Sequence, residues 1–276
     1  MGAKDLRLDS SGNMDFRLKR TWAAWKKEDP PPNRVKPVPI RVIRHIANLA
    51  HSSSDINNHY RATADMIILA FFFLLRPGEY IDSNSESSPF RLEDVQLFIG
   101  DARLCLQTSP PERLRRASFA SLTFTTQKNG VRGEVIGLSR SGDPILCPVR
   151  TILRRVLYLR TNNAPPSTPL ARTYNTKRVT AASITTILRE AVAFFGPQIG
   201  FLPSDVSARC LRAAGATALL LGRVDTDIIS LIGRWRSDEM LRYLHVQAYP
   251  LMKDYSRKML NAGDYTLIPN QHVPQH

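Results

Sequence analysis

The pattern of apolar residues changes abruptly in the middle of the chain, and this change limits the possible folds. Four short segments are rich in β-branched and aromatic residues and are bounded by turn residues: 93–100, 102–108, 120–126 and 133–139. The dipeptide Asn129-Gly130 separates the last two segments, as in a tight hairpin turn. We therefore predict a small antiparallel sheet in this region.

Helical patterns lie on both sides of the predicted sheet. Before it, Pro39 opens one helix, and a second is predicted from 56 to 75, where Pro77-Gly78 ends it. After it, helices are predicted at 149–158, 181–195, 206–221, 225–232, 238–245 and 251–260, and a short basic helix is predicted at 17–27. This order indicates the α+β class, mainly α-helical with one small antiparallel β-sheet.

The chain carries a strong positive charge. Its 38 lysines and arginines against 24 acidic residues give a net charge of +14 and a pI of about 10.1. Such an excess favours a polyanionic partner, and we expect nucleic acid because the sequence lacks a lipid-binding pattern. The basic tracts 113–116 and 150–155 are candidates for contacts with the DNA backbone, with a solvated helix face as the alternative for the second tract.

The cysteines and the apolar runs indicate an intracellular protein. Cys105, Cys147 and Cys210 are odd in number and have no CxxC spacing, which argues against a disulfide framework and a zinc site. The longest apolar run, 66–75, is too short to span a bilayer. No cleavable signal peptide is visible either. From both observations we expect a soluble intracellular protein that does not associate with a membrane.

Arginines in three separate segments precede a tyrosine near the C-terminus. The segments are LRPGE at 75–79, RCLR at 209–212 and GRW at 233–235, and the tyrosine is Tyr243. A tyrosine hydroxyl can attack a phosphodiester, and guanidinium groups can hold the phosphate oxygens in place of a metal ion. A lysine can give the departing oxygen its proton when neighbouring positive charge lowers its pKa. The pattern indicates an enzyme that cuts nucleic acid strands.

These segments, in this order and with the predicted sheet between the first two, resemble the catalytic domain of tyrosine recombinases, the phage-integrase-like family. The sequence GRWRSD at 233–238 is similar to the branch encoded by Crypton and DIRS-like mobile elements. The resemblance implies the fold of the DNA breaking-rejoining enzymes for residues 38–262. It leaves 1–37 as a polar, basic segment and linker, and 263–276 as a flexible tail.

The resemblance implies a role for each matching residue. Arg76 and Arg212 correspond to the two catalytic arginines, and Glu79 corresponds to an acidic residue that orients the active site. Lys128, next to the predicted hairpin turn, corresponds to the catalytic lysine. Tyr243 corresponds to the nucleophile.

One position leaves two candidates. The family has a His or Trp that contacts the scissile phosphate, and either Arg234 or Trp235 fills this place. Arg234 has the usual interval of nine positions to Tyr243, whereas Trp235 lies eight positions from it. We favour Trp235, because its indole N–H can donate to phosphate while the ring packs on the helix of the nucleophile.

Two departures from the family keep other functions open. Arg209 replaces the histidine of the second segment, and an arginine is a poor proton shuttle because it does not deprotonate in proteins. The segment 1–37 is also too short for the separate helical DNA-binding domain that family members carry. The alternatives are a DNA-binding copy that no longer cleaves and a DNA-relaxing enzyme similar to type IB topoisomerases.

The resemblance implies site-specific recombination of double-stranded DNA. Tyr243 would form a 3′-phosphotyrosyl bond and release a 5′ hydroxyl, and a second DNA end would reverse the step without a metal or nucleotide cofactor. A homotetramer on DNA, with a monomer or weak oligomer when free, is expected from the family. In a eukaryote, the expected location is the nucleus.

Overall fold

The computed structural model describes Phe16 and residues 36–52, 58–81, 89–125, 133–174, 178–235 and 254–266. Lys128 and Tyr243 lie outside the described residues, as do the helices predicted at 17–27 and 238–245. The chain divides into two compact units, 1–34 and 35–276. All elements named below belong to the second unit.

The second unit has the α+β architecture that the sequence predicts, with about half of its described residues in helices. The described helices are α1 (Ile40–Ser52), α2 (Asn58–Phe72), α3 (Pro77–Tyr80), α4 (Pro111–Arg115), α5 (Pro148–Thr161), α6 (Ala181–Phe195), α7 (Cys210–Leu221), α8 (Thr226–Gly233) and α9 (Tyr255–Ala262). The described strands are β1 (Val95–Ile99), β2 (Ala102–Arg103), β3 (Phe119–Phe124) and β4 (Glu134–Ser139).

The strands form one antiparallel sheet in the order β2-β1-β3-β4. In its register, Phe119 faces Ser139 and Phe124 faces Glu134, so β3 and β4 pair as the two strands of the predicted hairpin. The strand predicted at 102–108 is wrong in length. Leu104 still donates its N–H to the Leu97 carbonyl at 2.8 Å, and the chain then turns, with Ser109 donating its N–H to the Cys105 carbonyl at 3.0 Å, before Pro110 and Pro111 begin α4.

Helix α2 lies at the centre of the second unit. It packs against α1, α5, α6 and α7, and its side chains from 62 onward are buried. A helix that is apolar on all sides is expected in a core, which is what the run at 66–75 predicts. No helix within the described ranges combines the length and the apolar character needed to cross a bilayer.

Two helices show how closely local signals set the element bounds. Helix α6 covers the predicted 181–195, because Thr180 caps its start through Ser183 and Gly196, with φ of 73°, follows its end. Helix α7 begins at Cys210, four residues after the predicted start. The preceding residues form a separate turn instead, in which Cys210 donates its N–H to the Ser207 carbonyl at 3.0 Å and Ala208 donates its N–H to the Thr185 hydroxyl on α6 at 3.1 Å.

The first residues of the predicted C-terminal tail make ordered contacts. The Gly263 carbonyl accepts the Ile40 N–H at 2.5 Å, and Tyr265 donates its hydroxyl to the Pro37 carbonyl at 3.1 Å. These bonds attach residues 263–266 to the start of α1.

Candidate functional site: an arginine centre

Helix α2 ends in a strained turn that presents main-chain carbonyls. Leu74 has a φ of 51°, in the left-handed region that is unfavourable for a residue with a Cβ atom. The Leu75 N–H donates to the Ala70 carbonyl at 3.0 Å, which closes the helix end around the left-handed residue. The carbonyls of the last turn have no helical partners, and the helix dipole favours cations beside them.

Helix α8 ends in the same manner. Arg234 has a φ of 58° and donates its N–H to the Leu231 carbonyl at 3.0 Å, while Trp235 donates its N–H to the Ser230 carbonyl at 2.9 Å. These bonds form a Schellman motif, in which the left-handed position is usually a glycine. The ends of α2 and α8 together supply a group of carbonyl oxygens around which the arginines gather.

Arg234 is fully occupied by this group. Its Nη1 donates to the Phe73 carbonyl at 3.3 Å and to the Ile232 carbonyl at 3.0 Å. Its Nη2 donates to the Leu74 carbonyl at 3.2 Å and to Glu79 Oε2 at 2.8 Å. Because each η nitrogen carries two hydrogens, these four bonds use all of them. Arg234 is only 4% exposed and has no η hydrogen left for a ligand.

The guanidinium of Arg234 also lies on the sheet. Its Cζ is 3.8 Å from the centre of the Phe124 ring at the end of β3, a cation–π contact. Its Nε is buried and has no partner among the described residues. Burial lowers the pKa of Arg234, while the carboxylate of Glu79 opposes this shift and keeps the charged form favoured.

Glu79 is a buried carboxylate shared by two arginines. Besides Arg234, it accepts the Arg76 main-chain N–H at 2.8 Å and Arg76 Nη1 at 3.2 Å. The local sequence explains this, because Pro77 occupies the first position of α3 and Glu79 the third, where a carboxylate caps the helix start. Tyr80 then ties α3 to the segment before α7 by donating its hydroxyl to the Ala208 carbonyl at 3.2 Å.

Arg212 reaches the same carbonyls from α7. Its Nη1 donates to the Leu74 carbonyl at 2.8 Å, and its Nη2 donates to the Gly233 carbonyl. Among the described residues, these bonds leave one hydrogen on each η nitrogen. Burial lowers the pKa of Arg212, and the nearby charges of Arg234 and Arg76 lower it further. The guanidinium nevertheless stays protonated at neutral pH.

Trp235 covers Arg212. The indole ring lies 4.2 Å from Arg212 Cζ and is 38% exposed, so the pair borders solvent. Two glycines allow this packing. A Cβ atom at Gly233 would overlap the Trp235 ring, and one at Gly215, a turn after Arg212, would overlap the Phe71 carbonyl of α2.

The centre carries an excess of positive charge. We call Arg76, Glu79, Arg212, Arg234 and Trp235 the arginine centre. Arg76 and Arg234 bond to the carboxylate of Glu79, and Arg212 shares the Leu74 carbonyl with Arg234, so three guanidinium groups lie near one carboxylate. Arg76 is partly exposed, with 30% of its side chain accessible. Partly exposed guanidinium groups with hydrogens left over make a site that attracts an anion, and phosphate matches the guanidinium fork.

The structure thus brings together five of the eight site residues that the sequence nominates. Arg209 lies one turn before Arg212, at the start of α7, with an exposed side chain. Lys128 and Tyr243 are outside the described residues. Leu74 and Phe124, which complete the centre, were missed. Leu74 contributes through its carbonyl, which no side-chain pattern reveals.

The two basic tracts differ in their environment. Arg113, Arg115 and Arg116 are exposed around α4. In the tract 150–155, by contrast, Arg154 pairs with Asp65 at 2.7 Å, and Arg155 is buried, with bonds to main-chain carbonyls. Arg155 is therefore excluded from a surface contact with DNA.

Comparisons with known proteins add no family to this description. No family model matches the chain, and neither the curated proteins nor the solved structures contain a match. Within the described ranges, no group of three or more His, Cys, Asp or Glu side chains is placed to hold a metal ion.

Proposed function

We propose that the protein cuts and rejoins DNA as a tyrosine recombinase, with the catalytic-domain fold of that family. The convergence of Arg76 and Arg212, far apart in sequence, with Trp235 stacked on Arg212, carries this proposal. Both arginines keep η hydrogens and border solvent, as residues that clamp a DNA phosphate require. The α+β architecture and the net charge of +14 agree with such an enzyme.

In the proposed reaction, Arg76 and Arg212 hold the non-bridging oxygens of the phosphate. The Tyr243 oxygen bonds to phosphorus, loses its proton to solvent and displaces the 5′ oxygen of the DNA, which takes a proton from Lys128. The products are a 3′-phosphotyrosyl bond and a free 5′ hydroxyl. Attack by a second 5′ hydroxyl reverses these steps and rejoins the strand, and four protomers on the DNA would exchange two duplexes.

Trp235, rather than Arg234, is the residue proposed to contact the phosphate from the third segment. All four η hydrogens of Arg234 are already used, whereas Trp235 borders solvent next to Arg212. Arg209, exposed at the start of α7, would add charge for the DNA backbone without moving a proton.

A second candidate is a DNA-binding protein that no longer cleaves. The arginine at position 209 favours it, since no group there can shuttle a proton. Under this alternative, DNA binding would depend on salt and would be equal in the wild type and in Tyr243→Phe, without nicking or joining.

A covalent trapping assay tests the proposal. Duplexes of randomised sequence, each with a nick that lets the product strand diffuse away, should leave DNA attached to the wild-type protein after denaturation in SDS. Tyr243→Phe should abolish the adduct, while Tyr255→Phe, at a buried tyrosine of α9, should retain it. No adduct with the wild type, or an adduct that persists in Tyr243→Phe, overturns the assignment. Relaxation of supercoiled plasmid without recombination would favour the topoisomerase-like alternative.

A further inference from the structure

Arg234 is bonded to the same two acceptors that hold the other arginines. Glu79 accepts from Arg234 with Oε2 and from the Arg76 side chain with Oε1. The Leu74 carbonyl accepts from Arg234 at 3.2 Å and from Arg212 at 2.8 Å. The buried guanidinium of Arg234 therefore bonds to the two groups that hold the partly exposed guanidinium groups of Arg76 and Arg212.

We propose that Arg234 is a positioning residue: through Glu79 and the Leu74 carbonyl, it fixes Arg76 and Arg212 in the orientation that receives a phosphate, and it does not itself bind the phosphate. The inference rests on the proposed function for its meaning in catalysis. Its physical content is separate, because it concerns anion binding at the arginine centre.

The strained backbone supports this role. Leu74 and Arg234 both occupy the left-handed region without being glycines, which is energetically unfavourable for each of them. The four η bonds of Arg234 join the two turns, since they reach carbonyls of both helix ends as well as Glu79. Strain of this kind persists only where the surroundings over-determine it, and it concentrates at functional sites.

A lysine cannot replace this arrangement. Arg234 donates four hydrogen bonds from a planar group that also lies over the Phe124 ring, whereas an ammonium has three donors around one atom. Arg234→Lys keeps the positive charge but loses the simultaneous contact with Glu79 and Leu74. The substitution should therefore disturb Arg76 and Arg212 without changing the net charge of the site.

The chain supplies a matched control in Arg155. This arginine is 3% exposed, donates to the Leu170 carbonyl at 2.8 Å and to the Arg172 carbonyl at 2.5 Å, and lies 4.7 Å from the Tyr158 ring centre. It resembles Arg234 in burial, carbonyl bonding and aromatic contact, but it does not contact the arginine centre. Arg155→Lys therefore measures how much stability is lost when a buried, carbonyl-bonded arginine elsewhere in the protein is replaced by lysine.

The readout is the fluorescence of Trp235, which stacks on Arg212. In a Trp22→Phe/Trp25→Phe background, Trp235 is the remaining tryptophan, and titration with inorganic phosphate should change its emission. Arg234→Lys should weaken phosphate binding about ten- to hundredfold, as for the loss of charge-assisted hydrogen bonds. Arg155→Lys should bind phosphate as tightly as the background protein does. Thermal melts should show comparable losses of stability for Arg155→Lys and Arg234→Lys.

The outcomes separate this inference from the proposed function. Equal phosphate binding in Arg234→Lys and the background protein overturns the inference, and so does an equal loss in Arg155→Lys or the lack of any phosphate response. If Arg234→Lys does not fold, Glu79→Asp takes its place, since it retracts the shared carboxylate by one methylene; unchanged phosphate binding there also overturns the inference. Phosphate binding that depends on Arg234, without any covalent DNA adduct, would retain the inference and reject the proposed function.

Discussion

Replacing Glu79 with glutamine is expected to destabilise the protein strongly. The carboxylate is 2% exposed and accepts bonds from Arg234 and from both the main chain and the side chain of Arg76. The amide would leave the buried charge of Arg234 without its counter-ion. Breaking a buried ion pair on one side costs about 3–5 kcal/mol. For a protein of this size, that is a fall in Tm of roughly 6–20 °C.

Urea unfolding followed by circular dichroism measures the loss in the free energy of unfolding. The variants are compared with the wild type provided that the free energy depends on urea concentration with the same slope. Glu93→Gln is the control, because Glu93 and its partner Arg91 are about half exposed, 3.4 Å apart. Its loss should stay within about 0.5 kcal/mol. The double variant Glu79→Gln/Arg234→Met should recover part of the stability, since it removes the unpaired charge.

A loss in Glu79→Gln no larger than that in Glu93→Gln would show that the pair with Arg234 does not hold the centre together. A double variant less stable than Glu79→Gln would instead assign the loss to packing of the Arg234 side chain on Phe124. Either result would refute the electrostatic reasoning given for the site.

Three further predictions follow from the site. Gly215→Ala should cost about 1–3 kcal/mol in urea unfolding, because the new Cβ overlaps the Phe71 carbonyl and pushes α7 away from α2; a neutral result would contradict the close packing. Arg209→Ala should change stability by less than about 0.5 kcal/mol and reduce the salt slope of binding to a random-sequence duplex by about one; an unchanged slope would remove Arg209 from the DNA contact. EDTA should leave the covalent adduct undiminished, since arginines carry the phosphate charge in the proposed reaction, and metal-dependent adduct formation would refute that assignment.

The sequence predicts those parts of the fold that local signals determine. Helix α6 has the predicted bounds because a capping threonine and a glycine mark its ends. The β3–β4 hairpin lies where Asn129-Gly130 separates two alternating segments. Strand β2 is shorter than predicted, because the residues after Arg103 turn toward the prolines that begin α4. Helix α4 was not predicted, because its sequence was interpreted only as a basic tract.

The arginine centre depends on contacts that no local pattern encodes. Nothing near Arg76 indicates that it will meet Arg212, and their meeting was expected only from the family resemblance. Spacing favours Arg234 and the indole N–H favours Trp235, so the sequence decides weakly between them, whereas in the structure Arg234 is 4% and Trp235 is 38% exposed. The left-handed Leu74 was unpredictable, because sequence rules place glycine at such a position.

The most direct test of the central claim is to map the trapped adduct. Protease digestion of the DNA-linked protein, followed by mass spectrometry, should find one nucleotide-bearing peptide, with the 3′ phosphate on Tyr243. The other product strand should carry a free 5′ hydroxyl that a polynucleotide kinase labels without prior phosphatase treatment. DNA attached to any other residue, or a linkage through a 5′ phosphate, would contradict the account.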